Sequence, residues 1–102
     1  MIKLFRALPK TEEARIIGKQ VLRSSTSVAA NYRAVCRARS KAEFIAKIGI
    51  VVEEADETVY WLETIIEAHI LDNEISKLLL KEANEILAIM ASSQLTAKNN
   101  RQ

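Results

Sequence analysis

Hydrophobic residues recur along the chain with the period of an α-helix, most clearly between residues 44 and 69. The positions spaced alternately four and three apart are Phe44, Ile48, Val51, Ala55, Thr58, Leu62, Ile65 and His69. This spacing predicts a heptad seam along one face of a helix. A second row repeats every seven residues: Ile45, Val52, Val59 and Ile66. The two rows together are wide enough to contact two neighbouring helices, as in a bundle.

Helix-capping and helix-breaking residues predict where the other helices begin and end. Pro9 limits the first helix to a stub of about two turns, because the residue before a proline is disfavoured in the α conformation. The candidate N-caps are Thr11, Ser40 (with Glu43 as a capping box) and Asp72 or Asn73. The three long helices are predicted over residues 12–38, 41–69 and 73–95, and the tail from Thr96 is expected to fray.

The composition agrees with an all-α protein. The chain has 102 residues, with Gly occurring twice and Pro once, so residues that break helices are rare. This length suits one domain with a single core, which we assign to residues 1–102. No apolar run approaches the length of a membrane span, and the start of the chain lacks the features of a signal peptide. We therefore expect a soluble protein of the cytoplasm, with no membrane association.

Residues capable of catalysis or metal binding are sparse. Cys36 is the single cysteine and is expected to be buried as a small apolar residue. His69 is the single histidine, and its place at the end of the seam predicts a core-edge or helix-capping role. No zinc set, di-iron motif or phosphate loop is recognisable. The sequence therefore predicts no enzyme activity, no metal and no cofactor.

Five cations of the second predicted helix fall within an arc of about 80° when residues are placed about 100° apart. We call this set the basic stripe: Arg15, Lys19, Arg23, Arg33 and Arg37. Arg39 and Lys41 extend it into the following turn, and Lys47 can add to it from the third helix. The stripe is either a solvated face or a surface that binds phosphates of RNA or DNA, and the sequence leaves both interpretations open.

The outer face of the third predicted helix mixes acidic and apolar residues. It carries Glu53, Asp56, Glu57, Glu63 and Glu67 beside Gly49, Ile50, Tyr60 and Trp61. Gly within a helix is unfavourable unless another backbone approaches closely, and large aromatic rings suit interfaces. We therefore predict an oligomer interface at Gly49, Ile50, Tyr60 and Trp61, against the alternative that Trp61 only edges the core of its own chain.

Small residues in the second predicted helix stand where bulkier side chains would be usual in a bundle. They are Ser24, Ser25, Ser27, Ala29 and Ala30. Their size predicts that a neighbouring helix approaches closely, with hydroxyls bonding back to carbonyls of their own helix.

The chain resembles a known family in three distinctive segments: "RSSTSVAANYR", "RSKAEF" and "EADETVYWLE". This is the family of four-helix-bundle proteins encoded in intervening sequences of bacterial 23S ribosomal RNA genes, sometimes labelled ribosomal protein S23. The resemblance covers nearly the whole chain. It implies an up-down four-helix bundle that assembles as a homopentamer and has no catalytic residues. Family members usually have a full first helix before "LFRALPK", whereas this chain has a shortened one.

The resemblance also bears on partners, because the family includes an accessory protein of diversity-generating retroelements. That protein is a pentamer that binds nucleic acid and a reverse transcriptase through a basic surface. Two hypotheses follow for this chain. In the first, the basic stripe contacts phosphates of RNA or DNA. In the second, the protein is a structural or adaptor oligomer that binds a protein partner, and the basic stripe pairs with acidic residues of the next subunit.

Overall fold

Four α-helices make up the described part of the chain. The structure is a computed structural model and describes residues 1–100. The helices are α1 (Ile2–Ala7), α2 (Glu12–Cys36), α3 (Lys41–Glu67) and α4 (Glu74–Asn99). No strand occurs within these 100 residues. The predicted all-α, up-down four-helix bundle with a shortened first helix is confirmed.

The three long helices begin where the sequence predicts. Thr11 Oγ1 accepts a hydrogen bond from the backbone N–H of the third helical residue of α2 at 3.3 Å. Ser40 Oγ accepts the equivalent bond in α3 at 3.1 Å. At α4 the cap is Asn73, and a reciprocal capping box joins it to Ser76. Side-chain caps therefore satisfy N–H groups that a helix start leaves without partners.

The end of α3 differs from the prediction because the chain turns at His69. Its φ of 57° is left-handed, and its backbone N–H donates to Ile66 O at 3.0 Å. The N–H of Ile70 donates to Ile65 O at 3.0 Å, completing a Schellman motif. The His69 side chain is 82% exposed. The predicted core-edge role of His69 is therefore wrong, and its backbone ends the helix.

Helix ends elsewhere shift by a few residues. Helix α2 ends at Cys36, two residues before the predicted end, where Arg37 leaves helical geometry at φ −108° and ψ 11°. The segment from Thr96 that was expected to fray continues α4 to Asn99. No Gly or Pro interrupts it, and Ala97 remains half-buried. The expected fraying at residues 101–102 lies outside the described residues.

The core lies on both sides of α3, which packs against α2 and α4. The predicted seam of α3 is buried at Ile48, Val51, Ala55, Thr58, Leu62 and Ile65. Leu4 from α1 is fully buried in the cluster that contains Leu62 and Ile65. Apolar burial along this seam is the main stabilising contribution to the fold.

Helix α1 closes only one end of the bundle. It packs on α2 at Gly18, where a Cβ would lie 2.6 Å from Leu8 Cδ1, so only glycine leaves room for the contact as it stands. Met1 then lies at one end of an apolar groove between α2 and α4, which Val28 and Ile86 help to line.

Candidate nucleic-acid interface

Four residues of the basic stripe lie on α2, Arg37 is the residue that caps its C-terminal end, and all five side chains are exposed. Arg15 and Arg37, at its two ends, are separated by about 33 Å along the helix axis at 1.5 Å per residue. This length is comparable to that of the bundle, whose longest dimension is 51 Å. The stripe therefore extends along most of one side of the molecule.

Arg23 differs from the rest of the stripe because it pairs with acidic residues of its own chain. Its Nη1 lies 3.3 Å from Glu54 Oε2, and its Nη2 forms an ion pair with Glu57 Oε1. The hydrogen bond to Glu57 raises the pKa of the Arg23 guanidinium above its usual value. The charge of Arg23 is thus compensated locally, and the stripe is divided into two cationic groups separated by about 21 Å.

Glu57 links Arg23 to Trp61. Trp61 Nε1 donates a hydrogen bond to Glu57 Oε1 at 3.2 Å. This bond, followed by the bond from Arg23, lowers the pKa of the Glu57 carboxyl. Both donors favour the ionised carboxylate, which explains the direction of the shift. The sequence places Glu57 and Trp61 on the same face of α3, and only the register between α2 and α3 brings Arg23 to them.

The first cationic group lies near α1. Arg15 lines a shallow cleft with Arg6, Lys10 and Glu12. Lys19 lines a neighbouring depression together with Arg6 and the exposed apolar residue Ile2. The loop around Pro9 thus brings further cations beside this end of the stripe.

The second cationic group surrounds a cleft of about 450 Å³ where α2 turns into α3. Its cations are Arg33, Arg37, Arg39 and Lys47, with Glu43 on the same wall and Ala30 and Ala34 among the lining residues. None of these cations belongs to an ion pair within residues 1–100. The sequence indicated Arg39 and Lys47 only as extensions of the basic stripe, and the turn into α3 places them beside Arg33 and Arg37.

The four residues predicted for an oligomer interface separate into two pairs. Ile50 and Tyr60 are exposed on the outer face of α3, at 38% and 58%. Trp61 is half-buried and packs against the core of its own chain, with its ring edge-on to that of Tyr60 at 4.9 Å between centroids. A Cβ at Gly49 would meet the side-chain amide of Gln94 at 3.2 Å. Trp61 and Gly49 therefore already have neighbours within the chain.

The burial of Cys36 differs from the prediction. Cys36 was expected to be buried, but it is exposed and lines the open groove between α2 and α4 with Tyr32 and Ile89. A hydrogen bond to Cys36 raises the pKa of the Tyr32 phenol. Within residues 1–100, no group of three His, Cys, Asp or Glu side chains is placed to hold a metal ion.

None of the described helices combines the length and the continuous apolar character needed to cross a bilayer. The longest, α3, carries acidic residues throughout its second half.

Comparisons with known proteins agree with the fold. Residues 1–92 match the family model for the 23S rRNA-intervening sequence protein. The chain is also similar to the crystal structure of a protein of unknown function from the S23 ribosomal protein family of Bacteroides thetaiotaomicron VPI-5482. The TM-score is 0.81 and the identity 34%, over 91% of this chain and 86% of that one. A search of curated proteins finds no match. The resemblance inferred from the sequence is confirmed, and the chain belongs to the 23S rRNA-intervening sequence protein family.

Proposed function

We propose that the protein is a non-enzymatic, oligomeric helical-bundle protein that binds nucleic acid, RNA in particular, through the basic side of α2. The observation that carries this proposal is the group of cations around the cleft between α2 and α3, namely Arg33, Arg37, Arg39 and Lys47, which take part in no ion pair within residues 1–100. Uncompensated positive charge on one side attracts a polyanion even when the net charge is only +2. Repetition around a homopentamer, as the family resemblance suggests, would multiply the contacts.

The expected binding is weak and has little sequence preference. Contacts from arginine and lysine to phosphates give affinity without reading bases. Stacking would add affinity, but the exposed large aromatic side chains within residues 1–100 are Tyr32 and Tyr60. One lies on α2 and the other on α3, so few rings are available for stacking. Phosphate contacts should therefore dominate, and the affinity should fall steeply with salt.

The test is a fluorescence-anisotropy titration of single-stranded RNA and DNA between about 50 and 200 mM salt. The double variant Arg33→Gln with Arg37→Gln should lower both the affinity and the salt slope, by about one unit for each lost phosphate contact. The control is Lys77→Gln with Lys81→Gln, which removes the same charge from α4 and should leave the slope unchanged. Absence of binding by the wild type at low salt, or equal losses in both double variants, would contradict the proposal.

A second candidate function is a structural or adaptor oligomer that does not bind nucleic acid. It is favoured by the outer face of α3, where Glu53, Asp56, Glu63 and Glu67 are exposed and take part in no ion pair within residues 1–100. These charges are complementary to the basic stripe of a neighbouring copy. In this case Arg33→Gln with Arg37→Gln would loosen the oligomer, as seen by size-exclusion chromatography with light scattering. No anisotropy change would then appear with RNA for either protein.

A further inference from the structure

The cleft at the turn from α2 to α3 gathers cations from three parts of the chain. Arg33 comes from the last turn of α2, Arg37 and Arg39 from the connection that follows it, and Lys47 from α3. We propose that this cleft is a binding site for a single phosphate group of a nucleic acid. The proposal rests on the function proposed above, and it adds the place on the molecule where a phosphate is held.

The charges in the cleft are not balanced by the protein. Glu43 is the acidic residue among those that line it, and no ion pair within residues 1–100 includes Glu43 or any of the four cations. Four like charges around one cleft repel one another, and a bound anion would relieve that repulsion. Arginine suits phosphate because its planar guanidinium donates two parallel hydrogen bonds to the oxygens.

The space in the cleft follows from small residues on α2. Ala30 and Ala34 lie among the cations and contribute only methyl groups to the lining. The resulting volume of about 450 Å³ is open to solvent and large enough for a phosphate and the sugar attached to it. The cations can therefore reach a phosphate from several sides without displacing core side chains.

Stabilisation of the helix ends by nearby charges explains only part of why these four cations lie together. The C-terminal end of α2 carries a partial negative charge that favours nearby cations, which suits Arg33 and Arg37. Lys47 is the seventh residue of α3, beyond the first turn of that helix, so the dipole of its own helix does not favour a cation there. Arg39 lies outside both helices. Arg39 and Lys47 are therefore the residues whose placement most specifically indicates a phosphate ligand.

The phosphate can come from two sources that share the same chemistry. An internal phosphodiester carries one negative charge, whereas a terminal phosphomonoester carries about −1.5 to −2 at pH 7. The test uses one short single-stranded RNA prepared with a 5′-phosphate and with a 5′-hydroxyl. If substituting the cleft cations weakens the binding of the 5′-phosphorylated RNA more than that of the 5′-hydroxyl RNA, the cleft holds the terminal phosphate. If the substitutions weaken the binding of both RNAs equally, the cleft holds an internal phosphate of the backbone. Both results support a phosphate site.

The decisive variant is Arg39→Gln with Lys47→Gln, because both residues lie outside α2. Anisotropy titrations at low salt should show a loss of about tenfold for each charge-assisted contact removed. Lys77→Gln with Lys81→Gln again removes the same charge from α4 and should bind as the wild type. If the wild type binds RNA and the Arg39 and Lys47 variant binds equally well, the cleft proposal is wrong and the proposed function stands. If the wild type binds no RNA, both are wrong.

Thermal denaturation gives a second measurement that does not depend on RNA. Inorganic phosphate, compared with chloride at equal ionic strength, should raise the melting temperature of the wild type and not that of the Arg39 and Lys47 variant. Without phosphate, the variant should melt at the same temperature as the wild type or higher, because like-charge repulsion has been removed. A lower melting temperature, with an unchanged response to phosphate, would show that the two cations support the fold and would overturn the proposal.

Discussion

The hydroxyl of Thr58 lies 2.9 Å from the hydroxyl of Ser24, and this buried pair joins α3 to α2. The Thr58 hydroxyl can donate to Ser24 or to the carbonyl of Glu54 at 2.8 Å, and the Ser24 hydroxyl can donate to the carbonyl of Val21 at 3.3 Å. Both side chains are therefore satisfied in the core, where an unpaired hydroxyl would be unfavourable. Ser24 thus lies where the sequence predicted a close approach of a neighbouring helix, whereas Ala29 and Ala30 of the same predicted set are exposed.

Substitutions at this pair should separate the effect of the hydrogen bond from that of side-chain size. Thr58→Val keeps the shape and should lower the free energy of unfolding by about 1 kcal/mol, the usual contribution of such a bond. Ser24→Leu should lower it by about 1–3 kcal/mol, because extra methyl groups must force the helices apart. Urea denaturation at a fixed protein concentration measures both.

The exposed residue Thr26 provides the comparison for that experiment, because its hydroxyl bonds only to carbonyls of its own helix. Thr26→Ala should change the free energy of unfolding by less than about 0.5 kcal/mol. A Ser24→Leu protein as stable as the wild type would show that α2 and α3 are not closely packed at this point.

The two glycines should respond in opposite directions to substitution. Gly18→Leu should displace α1, because even a Cβ there would lie 2.6 Å from Leu8 Cδ1, and the loss should be about 1–3 kcal/mol. Gly49→Ala should stabilise the protein by about 0.5–1 kcal/mol, because Ala is the better helix former and only the flexible amide of Gln94 must move. Thermal denaturation measures both effects.

Hydrogen exchange can locate the effect of Gly18→Leu. The amides of α1 should lose protection in that variant while those of α3 keep theirs, because α1 packs on α2. Uniform loss of protection along the chain would contradict the view that Gly18 serves only the contact with α1.

Glu57 should make the stability depend on pH in the acid range. Its pKa is lowered in the folded protein by Trp61 and Arg23, so folding favours the ionised carboxylate. This contribution is complete above the ordinary pKa of about 4.5 and is lost as the pH falls through the lower folded value. Glu57→Gln should therefore flatten the fall in stability below about pH 4.5.

The matched control for this measurement is Glu53→Gln. Glu53 is exposed on the same helix and takes part in no ion pair within residues 1–100, so this variant should keep the slope of the wild type. Urea denaturation at several pH values gives the comparison. High salt should reduce the difference, because the Arg23 ion pair is exposed to solvent.

Local sequence signals predicted most of the fold. The heptad spacing located the buried side of α3, and Thr11 and Ser40 located two helix starts, because caps and periodicity depend only on nearby residues. Helix ends were predicted less accurately than helix starts. The heptad continues formally to His69, but the left-handed turn of the backbone there carries the side chain out of the seam.

Relations between helices could not be predicted from the sequence in the same way. The pairing of Arg23 with Glu57 depends on the register between α2 and α3, which periodicity does not determine. The cleft cations Arg39 and Lys47 are eight residues apart in the sequence. They line the same cleft as Arg33 only because the chain reverses direction between α2 and α3.

Self-association should depend on the outer face of α3 if the predicted interface is correct. Tyr60 is the better test residue than Trp61, because Trp61 also packs against the core and its removal would weaken the fold. A large aromatic residue at the centre of an interface commonly contributes 2 kcal/mol or more, so Tyr60→Asp should weaken association about 30-fold. The added charge would also lie among acidic side chains, including Glu53 and Glu57.

Ile89 on α4 is similarly exposed, at 60% against 58% for Tyr60, and Ile89→Asp should leave the oligomer intact. Sedimentation velocity over a range of protein concentrations distinguishes these results. A wild type that is monomeric at every concentration would refute self-association, and dissociation by Ile89→Asp alone would place the interface on α4 instead.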